Sequence, residues 1–147
     1  HMEEIDLCWR MQNAGYKIYY THKSTIYHIG GGTLPNESPF KLFLNFRNNL
    51  YLLYKNLPKK HLFKILTIRM FLDYVSAFIF LLKGTPKKFL SVLKAHFVFF
   101  KNYSTLKNKR KKIPVNEKYF PPSIVSKSMV YQFFIHKKKY YRQLIGQ

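Results

Sequence analysis

Three carboxylates stand at the head of the chain, Glu3, Glu4 and Asp6. Adjacent carboxylates at a helix start can act as a general base or help hold a metal-bound substrate. They are equally the residues that the positive end of a helix dipole favours. Downstream are His22 and His28, and His28 runs into Gly30, Gly31 and Gly32. A histidine where the chain turns sharply can ligate a metal, although packing or a hydrogen bond is its commoner role there. The six-residue spacing of the two histidines matches no zinc pattern, and Cys8 belongs to no CxxC pair. Arg10 follows Asp6 by four residues, the favoured acid-then-base order for an ion pair on a helix. Arg47, in the run FRNN, is of the type that grips phosphate and equally of the type that lines a helix surface.

These groups need elements to hold them. Ile5, Cys8 and Trp9 recur at i, i+3, i+4, which predicts a helix over Glu3–Asn13 with Trp9 in the core and Gly15 as its stop. Tyr16–Tyr20 and Thr25–Ile29 are rich in β-formers and predict two short strands. A turn-rich loop follows to Pro39. Helices are expected over Phe40–Asn56, stopped by Pro58, and over Lys59–Lys83, ending at Gly84. A third is centred on Ser91–Tyr103, with Thr85 as its cap and Pro86 at its first position. KNKRKK (107–112) is a charge run, and 113–122 reads as irregular. Ser123–Leu144 reads as a last helix.

The 147 residues carry a formal net charge of +20, which calls for an anionic partner or surface. The charge is lopsided: residues 1–40 hold three basic against four acidic residues, and residues 41–147 hold twenty-three against two. One cysteine excludes an internal disulfide framework and fits a reducing compartment. The first residues show no basic region followed by an apolar run, so no signal peptide is expected. Leu62–Leu82 is long enough to cross a bilayer, but Lys64, Arg69 and Asp73 are costly in hydrocarbon, which predicts an interfacial or protein-packed helix. In the next helix Lys87, Ser91, Lys94 and Lys101 share one stripe beside a Phe- and Leu-rich face, the composition of a helix lying in a membrane surface.

The order of four runs carries a resemblance. EEIDLCWR, then NAGYKIYY, then IYHIGGGTL, then KLFLNFRNNLYLLYKNLP together resemble the carboxy-terminal part of bacterial family 2 glycosyltransferases, in the rhamnosyltransferase-like branch that builds cell-surface polysaccharides. The likeness covers Glu3–Pro58 and extends loosely to Lys112. It implies an α/β GT-A (Rossmann-like) fold, of which this chain would hold a mostly helical fragment with two short strands. Residues 1–39 would end the catalytic domain, 40–112 would form an amphipathic membrane-associated region, and 113–147 a basic tail. The implied reaction moves a sugar with inversion from a nucleotide-diphosphate sugar to a hydroxyl of a glycan or lipid-linked acceptor. Glu4 matches the family's base, with Glu3 or Asp6 as alternatives because the family more often has Asp at that place. The resemblance puts His28 near a divalent cation (Mg2+ or Mn2+), and Arg10, Gly30, Gly31, Gly32 and Arg47 near the diphosphate. It also implies residence on the cytoplasmic face of the inner membrane, against anionic lipid. The chain has no Asp-x-Asp, so the nucleotide-binding half is expected elsewhere and this piece alone is expected to be inactive.

A different class competes. A basic helical module with interleaved Tyr and Phe would grip nucleic acid without catalysis. The ordered motifs favour the transferase reading, and a nucleic-acid fold signature is not found, so nucleic acid is not the expected partner. A third class is a purely structural helical fragment.

Overall fold

A computed structural model describes residues 2–27, 38–115, 117, 129–138, 140 and 143. Among them run six helices: α1 Glu3–Asn13, α2 Pro39–Asn56, α3 Lys59–Leu82, α4 Pro86–Lys101, α5 Tyr103–Lys111 and α6 Met129–Phe134. Local signals set several of the boundaries. Ser38 caps α2 by accepting from the Lys41 amide at 3.1 Å, with Pro39 at the first turn. Pro58 separates α2 from α3. The amide of Lys59, one of the unsatisfied donors at the start of α3, donates to Glu117 at 2.7 Å. Gly15 (φ 90°) and Gly84 (φ 66°) end α1 and α3 in the left-handed region. In each case the next residue's amide reaches back to the last turn, Tyr16 to Met11 O and Thr85 to Phe80 O, both at 2.9 Å.

α2 is the hub, packed against α4, α3, α5 and α1. Phe43 and Phe46 meet Ala77, Val92 and Ala95 in one apolar cluster. Leu50 and Tyr54 meet Phe99 and Leu106 in a second, one turn further along α2. These residues fall at the i, i+3, i+7 spacing that makes one face of a helix. At the far end Arg110 donates to the carbonyls of Tyr54 and Leu57, satisfying acceptors that the end of α2 leaves open. Burial and the Tyr103 hydroxyl push the Tyr54 phenol up to about 12.

Several expectations need correction. Among the described residues the regular elements are all helices, with no strand and no sheet, so this chain is not an α/β Rossmann-like GT-A unit. Tyr16–Tyr20 and the described part of the second predicted strand, to Tyr27, stay unpaired, with Tyr20 and Tyr27 more than nine-tenths exposed. β-propensity builds a strand only where a neighbour supplies hydrogen bonds and a face to bury. The charge run 107–112 is largely helical: residues 107–111 complete α5, held by Leu106 and Arg110. The last helix is shorter than expected, since the chain has left it by Ile135. Thr85 does not cap α4 with its side chain; its hydroxyl donates to Phe80 O at 2.8 Å. Trp9, expected in the core, is only partly buried.

Candidate functional site

α1 docks on α2 through polar groups. Asp6 Oδ1 meets Lys55 Nζ and accepts from Asn56 Nδ2, each at 2.8 Å, while Oδ2 meets Arg10 Nε at 3.1 Å. Asn56 is fully buried and also donates to Leu52 O at 3.0 Å, and Asn13 Nδ2 donates to the Asn56 carbonyl at 3.4 Å. Burial pushes the Asp6 carboxyl up. The hydrogen bonds from Lys55 and Asn56, with the charges of Lys55 and Arg10, outweigh it and hold the group below its ordinary value. Asp6 is therefore an ionised clamp, spent on holding two helices together, and a poor proton acceptor.

Beside the clamp opens a pocket of about 160 Å³, lined by Met2, Glu3, Asp6, Asn48, Tyr51, Leu52 and Lys55. Asn48, Tyr51, Leu52 and Lys55 fall at i, i+3, i+4, i+7 and form one stripe of α2. The pocket thus joins the acidic segment to the FRNN helix, which lies some forty-five residues away in sequence. A carboxylate, an amide, a phenol and an ammonium face a space of the size that a hydroxylated group fills, with hydrogen-bond donors and acceptors on both walls.

The predicted residues divide between this place and others. Glu3 and Asp6 line the pocket, while Glu4 is exposed on α1 and is not part of its wall. Arg10 is engaged by Asp6. Arg47 lies next to the wall. Its Nε donates to Asn48 Oδ1 at 2.9 Å, and its guanidinium covers the rings of Phe43 and Tyr51 at 5.1 and 5.6 Å. His28, Gly30, Gly31 and Gly32 lie outside the described residues. Among the described residues no three His, Cys, Asp or Glu side chains cluster. The spacing of Asn48, Tyr51 and Lys55 on one α2 stripe is visible in the sequence, but the pairing of Asp6 with Lys55 and Asn56 is not.

A second polar centre lies between α3 and α4. Asp73 is ion-paired with Arg69 Nε at 2.8 Å and faces His96 Nε2 at 3.1 Å. The Asp73 and His96 side chains are 2 and 3 % exposed, and Tyr74 packs its ring on His96 at 4.6 Å. The Arg69–Asp73 pair is legible as an i, i+4 spacing, but His96 is brought to it only by the α3–α4 turn.

No family model matches the chain, and neither the curated proteins nor the solved structures contain a match.

Proposed function

We propose that this chain is the carboxy-terminal portion of an inverting glycosyltransferase. It would move a sugar from a nucleotide-diphosphate sugar to a hydroxyl of a cell-surface glycan or lipid-linked acceptor. The observation that supports it is the pocket shared by the acidic segment and the FRNN helix. Two of the four runs that carry the resemblance meet there, and Glu3 lines the space where an acceptor hydroxyl would stand.

In this reading a carboxylate takes the acceptor's proton and the hydroxyl oxygen bonds to the anomeric carbon. The bond from that carbon to the diphosphate breaks, and the nucleoside diphosphate leaves with the electron pair. Asp6 is committed to Lys55, Arg10 and Asn56. The base therefore falls to Glu4, which the motif favours, or to Glu3, which lines the pocket. Lys55, Asn48 and Tyr51 would orient the acceptor.

The reading predicts that the reading frame upstream of His1 encodes a nucleotide-binding portion with an Asp-x-Asp. A stop codon close upstream would sink it. In the full-length protein, release of nucleoside diphosphate from a panel of nucleotide sugars should fall about a hundredfold or more in Glu4→Gln or in Glu3→Gln. Unchanged turnover in both variants would remove the base from this segment.

A further inference from the structure

α3 is apolar on both sides: Leu66, Met70, Ala77 and Phe80 pack on the bundle, and the outer face is apolar as well. The charged Arg69 and Asp73 of its middle turns lie against the bundle. Asp73 is buried against His96, and Ser76 donates to Leu72 O at 2.9 Å. The opposite face, from Ile68 to Leu82, presents Ile68, Phe71, Val75, Phe78, Ile79 and Leu82 to the exterior without a charge among them. Lysines stand at both ends of that face: Lys59, Lys60 and Lys64 before it, and Lys83 and Lys87 after it, all exposed. α4 repeats the theme, with Leu90, Phe97 and Phe100 exposed beside Lys94 and Lys101. Tyr74 of α3, half-exposed with its ring on His96, marks the seam between the two helices.

An apolar face framed by ammonium groups matches acyl chains framed by anionic headgroups. The sequence raises one objection, that Arg69 and Asp73 are too costly in lipid. The structure answers it, because the pair is neutralised on the side away from the exposed face. By length and composition α3 could also cross a bilayer. Crossing would carry its packed neighbours α2 and α4 to the same depth, and with them the exposed Lys94. That cost selects an orientation in the membrane plane. We infer that the α3–α4 pair is a monotopic anchor that lies flat in an anionic bilayer, with the Ile68–Leu82 face of α3 immersed among the acyl chains. The inference stands whether or not the transferase reading does.

The test places a tryptophan at Phe71, Phe78 or Leu82, one at a time, in the whole chain carrying Trp9→Phe. Each variant is mixed with phosphatidylglycerol–phosphatidylcholine vesicles containing lipids brominated at known chain positions. Positions 71 and 82 are about 16 Å apart along the helix. An in-plane anchor gives all three a blue shift and the same shallow quenching depth. A graded depth from 71 to 82 would overturn the in-plane mode in favour of crossing. Vesicle binding with no quenching at any position would reduce the contact to headgroups and overturn immersion. Shielded tryptophans without vesicles, together with a stable dimer in sedimentation, would give the face to a second copy. In support, Phe78→Asp should weaken vesicle binding more than tenfold with helical circular dichroism retained. Lys59→Gln and Lys60→Gln should each weaken it about fivefold in low salt.

Discussion

Asp6→Asn isolates what the α1 clamp contributes. The substitution keeps the size of the side chain and an acceptor for Asn56, and it removes the charge that Lys55 and Arg10 share. The Lys55 and Asp6 side chains are 19 and 17 % exposed, between a surface pair, worth up to about 1 kcal/mol, and a fully buried one, whose disruption costs about 3–5 kcal/mol. A loss of about 2 kcal/mol follows, a roughly thirtyfold weaker docking of α1. Trp9, the only tryptophan, lies on α1 and reports the event. In urea its emission should shift red at a lower concentration than in the unsubstituted chain, while helical circular dichroism from α2–α5 persists. pH gives a second axis. The Asp6 carboxyl is held below its ordinary 3.8 in the folded state, so its contribution is complete above that value. It is lost as pH falls through the lower folded-state value. Asp6→Asn should flatten the acid limb of the Trp9 transition. A variant whose Trp9 midpoint stays within about 0.5 kcal/mol of the parent, with the acid limb intact, would refute the clamp and return Asp6 to the list of candidate bases.

Two further outcomes test the framework around the site. Asp73→Asn leaves Arg69 and the buried His96 without their carboxylate and should cost about 3 kcal/mol, read as a thermal midpoint about 10 °C lower. Arg110→Ala removes both hydrogen bonds to the end of α2 and should cost about 2 kcal/mol in a denaturant titration. Arg110→Lys should recover only part of that, because one ammonium cannot span both carbonyls as the guanidinium fork does.

What could be read without the fold was local. Apolar spacing and the punctuation by Gly15, Pro58, Gly84 and Pro86 put α1–α4 within a residue or two of their observed positions where a boundary was predicted, because caps and breakers act within one turn of the chain. The Asp6–Arg10 pair was legible for the same reason. Tyr16–Tyr20 has the propensity of a strand but no neighbour to pair with, and pairing is not a local property. The charge run KNKRKK gives no local sign of packing, because Leu106 beside it meets Leu50 and Tyr54, and its Arg110 meets the α2 carbonyls, each some fifty residues away.

The sites divide along the same line. By itself the sequence supplied the residue types, the order of motifs and the excess of positive charge. It could not show that Asp6 is consumed by Lys55 and Asn56, that Glu3 shares a pocket with Asn48 and Tyr51, or that Asp73 is sealed against His96. Each of these joins helices that only the packing of α1 on α2, or of α3 on α4, brings within hydrogen-bonding range. Whether a carboxylate is a base, a clamp or a buried counter-ion depends on the charges within a few ångströms of it, and tertiary structure decides those neighbours.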